Sequence, residues 1–87
     1  MGSYELVFRN SVAKELRAFP KQDVKRIMQR IQSLTNDPRP PGCEKLSSLE
    51  RYRVRQGVYR ILYEIKDARL IVLVVKVGHR RDVYRSS

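Results

Sequence analysis

The run RYRVRQGVYR, residues 51–60, alternates cationic with apolar side chains on both sides of a Gln-Gly pair. Period-two alternation broken by a glycine specifies two antiparallel strands joined by a tight turn. The alternation continues through ILYEIK, and after Asp67-Ala68 the β-branched run LIVLVVKV begins a third strand. Strands are therefore expected at 51–55, 58–66 and 70–77, with Gln56-Gly57 and Asp67-Ala68 as the turns.

The N-terminal half follows another period. In KQDVKRIMQRIQSL, residues 21–34, the apolar positions Val24, Ile27, Met28, Ile31 and Leu34 mark one face of a helix. The opposite face carries Lys25, Arg26 and Arg30. A shorter helix precedes it, with Val12, Leu16 and Phe19 on one side, Asn10 and Ser11 as N-cap candidates and Pro20 at its end. YELVF at 4–8 is a first strand, and PRPPG at 38–42 is a rigid loop. The expected fold is α+β in the order β-α-α-β-β-β, with two helices on one face of a largely antiparallel sheet. Residues 1–87 are expected to form a single domain.

Directly paired residues share a sheet face. With Gln56-Gly57 as the turn, Arg53 falls opposite Arg60, and Arg51, Arg53, Arg55 and Arg60 share a face. Tyr52, Val54, Tyr59, Ile61 and Tyr63 take the other face, against the helices. A like-charge cross-strand pair destabilises a sheet by up to about 1 kcal/mol, so the arrangement points to a bound anion. With Asp67-Ala68 as the second turn, Val77 falls opposite Val58. The chain then leaves the last strand beside the first turn, bringing Gly78, His79, Arg80, Arg81 and Tyr84 there.

Composition supports an anionic partner. Nineteen Lys and Arg stand against nine acids, a net charge of +10, and thirteen of the cations are Arg. Arginine is the residue suited to phosphate forks and base stacking. Cys43 and His79 are each the only residue of their type, which excludes an intrachain disulfide and argues against a zinc site. No secretory leader or membrane-length apolar run is evident, so a cytoplasmic protein without membrane contact is expected.

Arginines gathered without a metal site suit phosphodiester cleavage, in which a 2′-hydroxyl attacks phosphorus and the phosphorane gathers negative charge. Proton transfer is harder to place, because arginine is a poor acid or base near neutrality. Among the residues expected nearby, His79 has the side chain best suited by type to carry a proton. Tyr52, Tyr59 and Tyr63 read as core, Glu64 as the neutraliser of an arginine, and Arg69 as solvated.

The series Leu49, Tyr52, Arg53, Val54, Arg55, Gly57, Tyr59, Arg60 and Tyr63, followed by Val77, Gly78, His79, Arg80 and Tyr84, resembles the RelE/ParE superfamily of toxins, and its RelE branch in particular. The resemblance implies a ribosome-dependent endoribonuclease that cuts mRNA in the A site by metal-independent 2′-hydroxyl attack, with no cofactor. By position it implies catalytic roles for Arg53, Arg55, Arg60, Arg80 and Tyr84, with RNA contacts extending to Arg51 and Arg81. The best-studied form of the motif has Lys where Arg53 and Arg55 stand, so charge stabilisation is their expected role. His79, also replacing a Lys, becomes the candidate proton carrier. A cognate antitoxin is implied as partner, with operator DNA reached only through it; the helix face with Lys25, Arg26 and Arg30 would suit an acidic segment. Two other readings compete: a ParE-like DNA gyrase inhibitor, and an RNA- or ribosome-binding module without chemistry.

Overall fold

The computed structural model describes residues 3–46 and 50–80. Strand β1 (Glu5–Phe8) leads into helices α1 (Asn10–Arg17) and α2 (Lys21–Ser33). Four strands follow: β2 (Glu44–Lys45), β3 (Arg51–Gln56), β4 (Tyr59–Lys66) and β5 (Ile71–His79). They form one five-stranded sheet in the order β1-β5-β4-β3-β2. Only β1 and β5 pair in parallel; the other neighbours are antiparallel. The expected α+β architecture stands, with β2 as an added edge strand.

Both helices lie on one face. α1 packs on β5, and α2 crosses β3 and β4. Val12, Ile27, Ile31 and Leu34 are fully buried there against Val54, Ile61, Tyr63, Val72 and Val74. The helical period and the strand period thus meet in one core, and burial of this apolar surface is the main favourable term in folding. Tyr52, Tyr59 and Tyr63 are core residues, as expected. Each phenol has an acceptor or partner, as buried hydroxyls require: Tyr63 donates to the Pro38 carbonyl at 2.6 Å, Tyr52 to Glu50 at 2.6 Å and Tyr59 to Asp23 at 2.7 Å. A smaller apolar cluster of Leu62, Val75 and Leu73 packs separately.

Three local expectations are corrected. α1 begins at Asn10 behind an extended Arg9, and neither Asn10 nor Ser11 caps it through its side chain. Arg9 donates its backbone N–H to Val74 O at 3.0 Å, so pairing with β5 fixes it as the last extended residue.

The first hairpin turns at Gly57-Val58, with Gln56 paired to Tyr59. Gly57 has φ +60° and Val58 is not in the left-handed region. Positive φ at the first of two central positions alone is the type II′ geometry, which wants glycine first.

The second connection is Asp67–Leu70, a 3-10 turn closed by Leu70 at φ 55°. The β4–β5 ladder also shifts register between Leu62 and Tyr63. Val77 therefore faces Ile61, and His79 faces Tyr59.

β5 runs on past its pairing with β1, and α1 covers the gap. Glu15 accepts the Val77 backbone N–H at 2.9 Å and the Lys76 ammonium at 3.1 Å. A carboxylate thus occupies the place a strand would otherwise fill. Glu15→Ala is expected to lower stability by about 1–3 kcal/mol, the cost of a buried donor left unpaired. Urea denaturation checks this, with the midpoint falling and the slope unchanged.

Candidate functional site

The sheet face away from the helices carries Arg51, Arg53 and Arg55 from β3 and Arg60 from β4. The pairing is Arg51 with Glu64, Arg53 with Leu62 and Arg55 with Arg60. The expected like-charge pair is real, but its β3 member is Arg55 rather than Arg53. All four arginines keep the expected face, because the observed register differs from the expected one by two residues in the sum, and side chains alternate with period two.

The charges on this face are not equally matched. Arg51 donates through Nε at 3.2 Å and through Nη2 to Glu64, confirming the expected neutralisation. Arg53 donates through Nη2 to Glu44 on β2 at 2.9 Å. Neither Arg55 nor Arg60 has a carboxylate within ion-pair distance among the described residues. Arg60 is only 7% exposed, and its Nε has no hydrogen-bond partner among the described residues. Its Nη1 makes a long 3.5 Å bond to its neighbour's carbonyl, Tyr59 O. A buried guanidinium with so little compensation costs stability unless an anion completes it.

The other end of the hairpin shows the contrast. Arg39, from the Pro-rich loop, donates to Glu50 at 3.1 Å and to Asp67 at 2.8 Å. Its Nε reaches the Tyr52 hydroxyl at 3.0 Å, and its guanidinium lies over the Tyr52 ring, 5.3 Å from the centroid. Tyr4 donates to Asp67 at 2.7 Å. Hydrogen bonds from Arg39 and then Tyr4 hold the Asp67 carboxyl below its ordinary value. Here each cation meets an anion, and the network ties the loop to the sheet. Toward the turn end, Arg55 and Arg60 have no such carboxylate among the described residues.

Glu44 was not among the residues singled out from sequence. Its partner Arg53 first, then the charges of Arg55 and Arg60, hold its carboxyl below the ordinary carboxylate value. Glu44 thus lies within the field of all three arginines.

His79 reaches the turn end but joins the helix side. It faces Tyr59 across the ladder, and the two rings meet edge-on with centroids 6.3 Å apart. Tyr59 in turn packs on Phe19 at 4.6 Å. The expected convergence of His79 with the arginines is therefore one of sheet end, not of sheet face. Arg80 is exposed, and its backbone N–H bonds Val58 O at 2.9 Å, so it stands beside the turn. Arg81 and Tyr84 lie outside the described residues, as does Leu49 of the motif.

No group of three His, Cys, Asp or Glu gathers as a metal site among the described residues. A hollow of about 100 Å³ beside the turn, lined by Asp23, Arg26 and residues 56–59, is small for a nucleotide. No helix of the described residues is long and apolar enough to cross a membrane.

The domain thus has a two-helix layer on one sheet face and clustered arginines on the other. The sequence model of the ParE toxin of type II toxin–antitoxin systems matches residues 6–84, and the chain belongs to that family. Its relatives are named as RelG, RelE-like and RelE1 toxins. Toxin RelG of Mycobacterium tuberculosis is 27% identical over 84 residues, covering 94% of this chain and 97% of the relative. Among solved structures, the archaeal RelE–RelB complex of Pyrococcus horikoshii superposes with a TM-score of 0.81 at 25% identity, covering 90% of this chain and 96% of that one. The RelBE2 toxin–antitoxin complex of M. tuberculosis gives 0.80 at 23% identity over 90% and 99%, a likeness of fold.

The Arg55–Arg60 pair has a thermodynamic signature. Arg55→Gln is expected to raise stability by up to about 1 kcal/mol at low salt, because it removes a like-charge cross-strand contact. The gain should shrink as ionic strength rises. Denaturation curves of both proteins across a salt series check both parts.

Proposed function

We propose that this toxin is a ribosome-dependent endoribonuclease that cuts mRNA in the A site and so stops translation. The observation that carries the reading is the Arg55–Arg60 pair, two facing cations with no carboxylate partner among the described residues. The phosphodiester backbone of RNA is the anion that would complete them. In this reading Arg60 grips the scissile phosphate, because its buried guanidinium is held in place before substrate arrives. Arg55 and Arg53 stabilise the charge that develops on the phosphorane. Arg80 extends the cationic surface from beside the turn, with Arg81 and Tyr84 following it in the chain. Arg51, already paired with Glu64, contributes a weaker RNA contact. Metal and cofactor have no part in the proposed reaction. The chain acts as one domain, in the cytoplasm, where its target is.

A cognate antitoxin is the proposed partner, by analogy with the RelE–RelB assembly of the P. horikoshii relative. Operator DNA would be reached only through that antitoxin.

A second reading, inhibition of DNA gyrase, is favoured by the ParE description of the matching family. Primer extension on a defined mRNA separates the two. Cuts in register with the A-site codon, appearing only with programmed ribosomes, are expected. Intact mRNA together with inhibited supercoiling by purified gyrase would replace the ribonuclease reading with the second one. Arg60→Ala is expected to lower cleavage by about 10²–10³-fold, as loss of one preorganised charge stabiliser does. Its circular dichroism spectrum should stay that of the parent.

A further inference from the structure

We infer that Glu44 accepts the proton of the attacking 2′-hydroxyl, as the general base that the described arginines Arg53, Arg55 and Arg60 cannot supply; this rests on the ribonuclease reading above. Three features of the site lead there.

The first is chemical. Arg53, Arg55 and Arg60 cannot take up a proton near neutrality. His79 lies against Tyr59 on the helix side of the sheet, away from the arginine face. The Glu44 carboxylate, hydrogen-bonded to Arg53 on that face, can accept a proton.

The second is placement. β2 holds Glu44 directly opposite Arg53, and the 2.9 Å hydrogen bond fixes one carboxylate oxygen, Oε1, on that guanidinium. The side chain is 51% exposed, so solvent and an incoming ribose can reach the carboxylate.

The third is electrostatic. Arg53, directly opposite, and then the charges of Arg55 on β3 and Arg60 on β4 hold the Glu44 carboxyl below its ordinary value. Lys45, its neighbour on β2, pairs instead with Glu50 at 3.5 Å. An RNA phosphate entering this cluster brings negative charge beside the carboxylate and competes with it for the same cations. Both effects raise the carboxylate's proton affinity. Substrate binding thus moves Glu44 from a weak base toward a competent one, at the site where the proton must leave.

The step balances as follows. The 2′-hydroxyl gives its proton to the Glu44 carboxylate, and O2′ forms a bond to phosphorus. The bond from phosphorus to the 5′-oxygen breaks, and that oxygen takes a proton from water. The products are a 2′,3′-cyclic phosphate and a 5′-hydroxyl, and Glu44 returns its proton to solvent.

The sign of the pH dependence follows. Activity is lost as pH falls through the Glu44 pKa. The acid limb of kcat/KM, which reports the free protein, should lie below the ordinary carboxylate range. The acid limb of kcat, which reports the complex, should lie at higher pH.

The test compares Glu44→Gln and Glu44→Asp with the parent in single-codon cleavage on programmed ribosomes, across pH. Glutamine keeps an acceptor for Arg53 but cannot take a proton. A purely structural partner of Arg53 would therefore survive the change. The expected result for Glu44→Gln is a kcat lower by about 100-fold or more, KM no higher than the parent's, and no acid limb. Retained KM also reports a folded protein. Glu44→Asp should recover part of kcat and the acid limb. Cleavage by Glu44→Gln within threefold of the parent, with the acid limb intact, would overturn the assignment and leave the ribonuclease reading standing. A parent that cuts nothing overturns both.

Discussion

The arginine face depends on one register: Arg55 opposite Arg60 across the β3–β4 hairpin. That register is set at the turn, where Gly57 adopts φ +60°. A side chain there would be strained even though no atom lies within 4 Å of where its Cβ would stand. The glycine therefore serves conformation rather than space. By fixing the turn it fixes which residues meet, and so it brings two guanidinium groups together on the side of the sheet that the helices leave uncovered.

The cost of that meeting is offset elsewhere. The helix-side core supplies fully buried apolar side chains from α1, α2 and the three long strands. At the far end of the hairpin, Arg39 joins Glu50, Asp67 and Tyr52 in a matched network. A domain with these two supports can carry an unmatched pair at its other end, which is the pattern expected where stability yields to function. Glu44 has a double position in this account. It neutralises Arg53 in the free protein, and in the proposed reaction it is the group whose basicity rises when RNA takes over the cations.

Much of this was legible in the sequence because two periods are distinct. The stripe Val24, Ile27, Met28, Ile31 and Leu34 announced α2, which runs Lys21–Ser33. Alternation announced the strands and sorted their faces correctly even with the turn displaced, since an even shift preserves the face. The turn itself was misplaced because QG and GV are both two-residue loops, and only backbone φ tells which position glycine fills. The second connection was less readable still. Leu70 in the left-handed region carries no glycine or asparagine signal, and the register shift after Leu62 leaves no mark on an apolar run. These two features move His79 opposite Tyr59. Glu44 was missed because a two-residue strand has no period; an acid following a Pro-rich loop gives no hint that it pairs with an arginine nine residues on.

Arg55 and Arg60 together are the proposed phosphate grip. Fluorescence titration of a labelled 2′-deoxy oligonucleotide, which lacks the attacking hydroxyl, measures binding without cleavage. Comparing the parent with the double variant Arg55→Gln/Arg60→Gln across salt concentrations isolates the grip. If each arginine neutralises one phosphate, the slope of log Kobs against log salt should become shallower by about 1.4, from about 0.7 per phosphate contact on a single strand. A slope and affinity unchanged in the double variant would mean that the backbone binds elsewhere, and would contradict the account.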